Sequence, residues 1–405
     1  MTIRIQADLL IPGRGETVAD SIVVLDGTAI DYAGPAADAP ETPGAQVSTV
    51  RTVLPGLWEC HGHFSGERSP DIEIWAKGDP ATQAARAVSD VQRTLDGGVT
   101  SVRELGGLGL SMEPTVADGS ISGPTIYGAG DVLSTTGGHG DTHGFPIDWV
   151  HDGAGFGVMA DGVPECLKAV RLQLRRNAKV IKICASGGVL SEVDHPIHQQ
   201  FSPEELTAIV EEAARAERVV AAHCHGKPGI MAALEAGVQT IEHGSYLDEE
   251  AARLMIEREA ILVPTRFIID ALKDMEDVVP RYAYEKLVAV ADHHAEALKI
   301  GIAMGVKIAM GTDIFVSGDL YGRNSLEIKH LQDAGLSALE AIEAATATGP
   351  LTLGPQGPQA GQLVEGYDAD VIAVDFDPVK DNAGWGDRDR VTHVWKSGEP
   401  VKAPA

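Results

Sequence analysis

Apolar residues recur through the middle of the chain in two patterns that alternate. Residues 81–95 place alanine, valine and leucine at helical spacing, Gly97 and Gly98 follow, and the β-branched run 99–104 comes next. The same order of helix, glycine turn and strand returns before residue 238 and before residue 307. Because strands that alternate with helices form parallel sheets through right-handed crossovers, this part of the chain is predicted to be α/β.

Eight short apolar runs are predicted to be strands of one sheet. They cover residues 53–58, 99–104, 125–128, 180–184, 219–223, 238–242, 261–265 and 307–311. Eight parallel strands with intervening helices predict a (β/α)8 TIM barrel, which we assign to residues 54–354. Residues 131–164, rich in glycine, histidine and aspartate, form the longest predicted irregular segment. Long loops after barrel strands usually serve an active site.

Both ends of the chain differ from the middle, since they contain short apolar runs broken by glycine and proline. Residues 3–7 and 21–25 near the start, and 370–375 and 390–396 near the end, are predicted to be strands. Two β-rich ends beside one barrel favour a small composite β-sandwich domain built from residues 1–53 and 355–405.

Composition removes several classes of function. A formal net charge of -27 disfavours nucleic acid and anionic membranes as partners, because both require a basic surface. No apolar run reaches the roughly 18 residues that a membrane span requires, and the start lacks the order of residues typical of a signal peptide. The four cysteines form no C-x-x-C pair, which argues against disulfides and a zinc knuckle. We therefore expect a cytoplasmic protein that acts on a small molecule, with a homo-oligomer as the default assembly.

Candidate chemistry lies at the carboxyl ends of the predicted strands, which form the working face of a parallel barrel. Two histidines separated by one residue follow the first strand, so a period of two places both imidazoles on one face. Imidazole, carboxylate and amine groups also end four later strands. The complete set is His61, His63, Lys182, His223, His243 and Asp313. Imidazoles and carboxylates that converge in this way predict a metal site.

These motifs resemble those of the amidohydrolase superfamily, the metal-dependent hydrolases built on (β/α)8 barrels. The resemblance is closest to the imidazolonepropionase-like and Xaa-Pro dipeptidase-like branch. It is carried by residues 54–56 with the His-x-His pair, and by residues 181–188, 221–226, 242–244, 311–313 and 366–370. It therefore covers nearly the whole chain. One departure is Glu59, because many members have aspartate two residues before the first histidine.

The resemblance implies two divalent metal ions and a hydroxide that bridges them. The inner ion is expected on the two histidines of the first strand and on Asp313, and the outer ion on His223 and His243. Lys182 is expected to bridge them as N6-carboxylysine, since a buried lysine loses its proton easily and its neutral amine can react with carbon dioxide. Zinc is the first expectation, although cobalt or manganese fits the same ligands. Asp313 is also expected to act as general base.

Three further residues are candidates for contact with the substrate. His139 lies in the loop after the third strand and is expected to donate to the substrate carbonyl or carboxylate, as the equivalent loop histidine does in relatives. His225 follows a ligand by two residues, which predicts a position beside the metal or the substrate. Tyr246, three residues after His243, is a candidate to polarise the scissile carbonyl.

Three arginines lie at or just past predicted strands two, seven and eight. Arg103, Arg266 and Arg323 are candidates to bind a substrate carboxylate through two hydrogen bonds, although each could equally form a structural salt bridge. The sequence leaves these alternatives open.

The predicted reaction is hydrolysis of an amide C–N bond. Relatives imply dipeptides of the Xaa-Pro type or N-acyl amino acids as substrates. The alternative is a hydrolase of phenylureas, carbamates, thiocarbamates or aryl amides such as mycotoxins, since these activities occur on similar scaffolds. A more distant alternative is a non-catalytic assembly protein, but such a protein is expected to have lost ligands, and here each ligand position is filled.

Overall fold

A computed structural model describes residues 2–151, 153 and 155–404. Met1 and Ala405, which the predicted terminal domain includes, lie outside the described residues, as do Asp152 and Ala154. The strands are β1 (Thr2–Leu10), β2 (Val18–Asp26), β3 (Ala29–Pro35), β4 (Gln46–Pro55), β5 (Leu57–Gly62), β6 (Val99–Glu104), β7 (Thr125–Gly128), β8 (Val132–Ser134), β9 (Gly157–Met159), β10 (Val180–Cys184), β11 (Val219–Cys224), β12 (Thr240–His243), β13 (Ile261–Val263), β14 (Lys307–Ile308), β15 (Val371–Val374), β16 (Val391–Lys396) and β17 (Glu399–Lys402). The helices are α1 (Ile72–Trp75), α2 (Pro80–Asp96), α3 (Gly109–Ala117), α4 (Ile147–His151), α5 (Val163–Arg175), α6 (Pro203–Ala214), α7 (Lys227–Glu235), α8 (Glu249–Glu257), α9 (Arg266–Lys273), α10 (Arg281–Met304), α11 (Leu326–Ala334) and α12 (Ala338–Ala344).

The middle of the chain forms two parallel sheets with helices between most consecutive strands. One sheet has the order β14-β13-β12-β11-β10-β8-β9 and the other the order β5-β6-β7. Backbone hydrogen bonds join the two sheets on both sides, from Cys60 N to Met310 O (2.9 Å) and from Lys179 N to Gly128 O (2.9 Å). The predicted α/β class is confirmed. Closure of the strands into one barrel stays a prediction, which these two bonds support.

Several predicted strand boundaries are wrong. The predicted first strand, residues 53–58, is divided between two sheets. Its first part belongs to β4, which ends at Pro55, and its second part belongs to β5 in the sheet β5-β6-β7. Between them, Gly56 N donates to Asp370 O (2.8 Å). A Cβ on Gly56 would lie 2.1 Å from Thr100 Oγ1, so the crossing requires glycine. The seventh strand ends early, since Pro264 lacks an N–H and Thr265 is left-handed, with φ 55°. Residues 131–164 are also less irregular than predicted, because they contain β8, β9 and α4.

Strands from both ends of the chain form one seven-stranded sheet in the order β17-β16-β15-β4-β1-β2-β3. One apolar cluster on this sheet includes Ile5 and Val23 from the start of the chain and Val371 and Trp395 from its end. The strands are hydrogen-bonded into a single sheet, where the sequence predicts a sandwich. The domain boundaries at residues 53 and 355 stay a prediction.

The described helices do not include one that is both long enough and apolar enough to cross a membrane. The longest, α10, carries charged residues along its 24 residues. Location in the cytoplasm and assembly as a homo-oligomer stay predictions.

Candidate metal centre

The first group of converging side chains consists of His61, His63 and Asp313, which we call the histidine–aspartate cluster. Their ligand atoms lie within 4.8 Å of one another, with His63 Nε2 3.0 Å and His61 Nε2 3.5 Å from Asp313 Oδ1. Asp313 N donates to His61 O (2.8 Å), which ties the loop after β14 to β5. Asp313 is left-handed, with φ 57°, a conformation that costs about 1–2 kcal/mol and is held by its surroundings.

The second group consists of His223, His225 and His243, which we call the three-histidine cluster. Their ligand atoms also lie within 4.8 Å of one another. The sequence predicts only His223 and His243 as ligands here, whereas the structure places His225 with them. Although β11 ends at Cys224, His225 keeps the same face, because its N–H donates to Ser186 Oγ (2.8 Å) and its Nδ1 bonds Ser245 Oγ (2.7 Å).

Lys182 lies on β10 with its Nζ 3.5 Å from His61 Nε2. Its side chain is buried, and burial lowers its pKa from the ordinary value, although Glu242 opposes this. Its charge lowers the pKa of His61 and of His223, so it acts on one histidine of each cluster. A buried lysine with a lowered pKa is the form of the residue that can react with carbon dioxide.

Most imidazoles of the two clusters are neutral. Burial lowers the pKa of His61 to about 4 and that of His225 to about 3, and it places the other two histidines of the three-histidine cluster well below 6.5. His63 differs, because the hydrogen bond and charge of Asp313 outweigh burial and raise its pKa. Burial raises the pKa of Asp313, but the charges of the two neighbouring histidines outweigh it and lower the pKa overall. Neutral imidazole and ionised carboxylate are the forms that bind metal ions.

Glu242 orients His61, a role that its place in the motif at residues 242–244 does not predict. Glu242 Oε2 lies 2.8 Å from His61 Nδ1, which leaves Nε2 directed to the cluster. Arg103 Nη2 donates to both carboxylate oxygens, at 2.7 and 2.9 Å. The charge of Arg103 helps to lower the pKa of Glu242 to about 2, against the effect of burial. Arg103 is therefore not the predicted substrate contact, because it is fully buried and its guanidinium is occupied.

Other candidate ligands are oriented in the same way. His63 Nδ1 bonds Gly106 O (2.7 Å), and His243 Nδ1 bonds Thr265 Oγ1 (2.7 Å). Each bond leaves the Nε2 atom for the centre of its cluster, an arrangement typical of histidines that bind metals. Two largely buried clusters, in which most imidazoles are neutral and one carboxylate is ionised, together with the buried Lys182 beside His61, fit a pair of divalent ions.

Glu59, the departure from the family pattern, connects the strand that carries His61 to the loop that carries Asp313. Its buried carboxylate accepts from His61 N (2.9 Å), Thr312 N (2.8 Å), Thr312 Oγ1 (2.6 Å) and Asn324 Nδ2 (2.7 Å). Four donors satisfy this carboxylate, although burial still raises its pKa. Its contacts therefore give it a positioning role.

A cavity of about 460 Å³ opens above both clusters. Away from the clusters its walls are mostly apolar and include Trp75, Phe156, Val189, Ile268, Leu287 and Phe315. Its polar wall residues are Ser65, Glu67, Gln83 and Asp131. No arginine is found among the described residues that line the cavity. His139 lines it too, and its ring lies over that of His223 with centroids 4.2 Å apart.

The remaining predicted substrate contacts do not line the cavity in this structure. Arg266 is occupied by Asp270, at 3.1 and 2.6 Å, and by Ala291 O at 2.9 Å. Arg323 is exposed after β14. The ring of Tyr246 packs beside His293, with centroids 4.6 Å apart. The structure thus brings the predicted metal ligands and His139 together but leaves these three side chains outside.

Comparisons with known proteins agree with this geometry. The profile of the amidohydrolase family matches residues 52–401. Ochratoxinase from Aspergillus niger is 43% identical over 419 aligned residues, which cover 99% of this chain and 86% of that enzyme. Its crystal structure superposes with a TM-score of 0.92, at 42% identity, covering 100% of this chain and 96% of the other.

Two further solved structures superpose over 100% of this chain and 100% of their own chains. A prolidase complexed with N-methylphosphonate-L-proline has a TM-score of 0.92 at 33% identity. A Xaa-Pro dipeptidase with methionine bound in its active site has a TM-score of 0.89 at 30% identity.

Proposed function

This chain belongs to the amidohydrolase family, and from that premise we propose that it is a binuclear metal-dependent hydrolase of amides that carry a bulky apolar or aromatic group. Hydrolysis of an amide follows from the family and from the similarity to ochratoxinase. The observation that carries the substrate proposal is the cavity, because its walls are aromatic and aliphatic and its described lining contains no arginine. Such a cavity favours apolar groups over a charged terminus.

The residues that would hold the metal ions are the two clusters and the lysine between them. The histidine–aspartate cluster would bind one ion and the three-histidine cluster the other, with Lys182 as a carbamate shared by both. When bound, divalent ions supply an ionised water at neutral pH and polarise the amide carbonyl. Zinc is the metal that we propose first, because it suits sites rich in histidine.

Asp313 is the proposed general base. Its carboxylate lines the cavity beside His63, and a lowered pKa keeps it able to accept a proton at neutral pH. We assign to it the proton of the attacking water, which it then passes to the nitrogen of the leaving amine. Glu242 and Arg103 act indirectly in this step, because they hold the ring of His61 so that its Nε2 lies 3.5 Å from Asp313 Oδ1.

A second candidate function is hydrolysis of Xaa-Pro dipeptides or N-acyl amino acids, which the prolidase and Xaa-Pro dipeptidase similarities favour. One feature of the cavity also fits a dipeptide. The carboxylate of Glu67 lines the cavity, is buried, and accepts a hydrogen bond from Gln83, so it could receive the ammonium group of a dipeptide.

The test is turnover by metal-loaded protein on one panel of aryl amides, Xaa-Pro dipeptides, N-acetyl amino acids, phenylureas and carbamates, with metal content measured on the same sample. We expect two metal ions per chain and the highest kcat/KM on aryl amides. A higher kcat/KM on Xaa-Pro dipeptides contradicts the substrate proposal and supports the second candidate. Protein that purifies without metal and turns over nothing supports the assembly alternative.

A further inference from the structure

His139 is held at the cavity by a chain of hydrogen bonds from the loop between β10 and α6, residues 185–202. Its Nδ1 lies 2.8 Å from Ser191 Oγ, and Ser191 Oγ in turn bonds Asp194 Oδ1. The other oxygen, Asp194 Oδ2, accepts from Gly188 N (3.0 Å) and from Gln200 Nε2 (3.2 Å). The chain of contacts thus runs from a buried carboxylate through one hydroxyl to one imidazole.

The directions of these bonds follow from the number of protons available. Lys286 Nζ lies 3.3 Å from Asp194 Oδ1, so the carboxylate is paired with a cation and acts only as an acceptor. A serine hydroxyl has one proton, which it must therefore donate to Asp194. Toward His139 the same hydroxyl can only accept, so the proton between them belongs to His139 Nδ1. A neutral imidazole protonated at Nδ1 has its lone pair on Nε2.

Two contacts hold the ring of His139 in this orientation, with Nδ1 toward Ser191. One face lies over His223, with an angle of 23° between the rings. The ring edge lies against Gly188, where a Cβ would come within 2.1 Å of Nδ1. Gly188 therefore makes space for the ring of His139. No described group bonds to Nε2, and the residue lines the cavity.

We propose that Ser191 and Asp194 fix His139 as the Nδ1–H tautomer, so that its Nε2 accepts a hydrogen bond from the N–H of the scissile amide and selects secondary amides. This proposal rests on the proposed amide hydrolysis and replaces the sequence-based role of His139 as a donor. A secondary amide has an N–H next to the carbon that is attacked, whereas an Xaa-Pro bond has none. Ser191 and Asp194 are positioning residues in this scheme.

The same geometry predicts what Asp194→Asn does. Gly188 N and Gln200 Nε2 both donate to the Oδ2 position, and the orientation of Gln200 is fixed because its Oε1 accepts from His139 N (3.0 Å). Among the described residues only one cation, Lys286 Nζ, lies near the Oδ1 position (3.3 Å), and it keeps its shorter bond to Ser191 O (2.7 Å). The asparagine oxygen should therefore take the Oδ2 position, where it has two donors, and the NH2 group should face Ser191. The hydroxyl then has to donate to His139 Nδ1, which moves the imidazole proton to Nε2. An aspartate-to-asparagine change also selects the wrong histidine tautomer in the catalytic triad of serine proteases.

The first measurement is independent of any substrate. Long-range ¹⁵N–¹H NMR on zinc-loaded protein labelled with [¹⁵N]histidine reports which ring nitrogen carries the proton, and His139→Gln assigns the signals. We expect the Nδ1–H tautomer in the wild type and the Nε2–H tautomer in Asp194→Asn. The Nε2–H form in the wild type, or the same tautomer in both proteins, overturns the proposal. Should Asp194→Asn fail to fold, Ser191→Ala replaces it, and retention of a pure Nδ1–H tautomer there overturns the role of Ser191.

The second measurement compares N-benzoyl-L-phenylalanine with its N-methyl derivative. We expect a kcat/KM about tenfold higher for the N–H compound in the wild type, because one hydrogen bond separates the two. The ratio should fall toward one in Ser191→Ala and Asp194→Asn and return in Ser191→Thr, which restores the hydroxyl. Asp161→Asn is the matched control, since Asp161 also accepts from a hydroxyl, Thr136 Oγ1 (2.6 Å), on an exposed part of a nearby loop. A wild-type ratio of one overturns the selection of secondary amides and leaves the proposed amide hydrolysis intact.

Discussion

The two clusters at the floor of the cavity are carried by strands and strand ends, whereas most of the cavity wall comes from loops and from helix α9. At the floor, His61, Lys182 and His243 belong to β5, β10 and β12. In the wall, Phe156 lies in the segment before β9, and Val189 lies in the loop after β10. The floor is built into the sheets, so its chemistry depends on the fold, while the substrate preference depends on segments that can change without altering the fold.

The same contrast holds for the contacts that support each region. Proposed ligands in the floor are held by a hydrogen bond through Nδ1, to Glu242 in the case of His61 and to Thr265 in the case of His243. Apolar side chains in the wall pack against one another, as Trp75 does against Phe156 and Phe315, with centroids 5.9 and 5.6 Å apart. Changes in the floor are therefore expected to affect metal binding and turnover, and changes in the wall to affect substrate preference.

The largest effect is expected from Lys182→Ala. Because Lys182 lies 3.5 Å from His61 and its charge acts on His223, its removal should abolish the binding of the metal pair and lower kcat/KM by at least about 10⁴-fold. A short carboxylate added to the buffer should restore part of the activity by replacing the carbamate. Metal content and turnover are measured together, with Lys179→Ala as the control, since Lys179 precedes the same strand and its ammonium group bonds Asn177 Oδ1 (3.1 Å) at an exposed site. Full activity with both metal ions bound would refute the bridging role.

Asp313→Asn should have the next largest effect. Asparagine keeps the shape of the side chain but cannot accept the proton, so kcat should fall by about 10²–10⁴-fold. Because the change is nearly isosteric, the folded structure should persist in circular dichroism and thermal unfolding. Asp319→Asn is the control, since Asp319 follows the same strand and its side chain is almost fully exposed. An unchanged kcat would exclude Asp313 as the base.

The floor was predictable from the sequence because its residues follow from topology. A histidine at the end of a predicted strand can only face the carboxyl end of the sheet, so His223 and His243 were placed without knowledge of any contact. His225 could have been included, since the period of two that linked His61 to His63 also links His223 to His225.

The wall and the arginines could not be predicted in the same way. Each residue of β6 is buried, so the position of Arg103 in that strand does not reveal whether its guanidinium faces the cavity or the interior. Its partner Glu242 lies 139 residues away in the chain, and no local pattern connects the two. Similarly, the bond between His139 and Ser191 and the bond between Ser191 and Asp194 depend on the path of the loop after β10. Contacts between distant loops are decided by packing rather than by periodicity.

Glu242→Gln should have a smaller effect, because it changes the partner of a ligand and leaves the ligand in place. Loss of the negative charge beside His61 should weaken metal binding by about 10–100-fold. The variant should also unfold at a lower temperature, since Arg103 keeps its charge in a buried site without its partner. Metal affinity is measured by competition with a chelator, and Glu235→Gln at the exposed end of α7 is the control. An unchanged affinity would show that Glu242 serves stability alone.

The smallest effect is expected in the wall, from Phe156→Ala. The Phe156 ring lines the cavity near His139, with centroids 6.1 Å apart, so its removal should take away apolar contact with a bulky substrate. KM for an aryl amide should rise about tenfold, while metal content and kcat for a small N-acetyl substrate stay close to the wild type. Phe145→Ala is a matched control from the same segment, because Phe145 packs edge to face against Trp149 and does not line the cavity. A fall in metal content in Phe156→Ala would contradict the independence of wall and floor. An unchanged KM would indicate that the aromatic group of the substrate binds instead at the opposite wall, around Ile268.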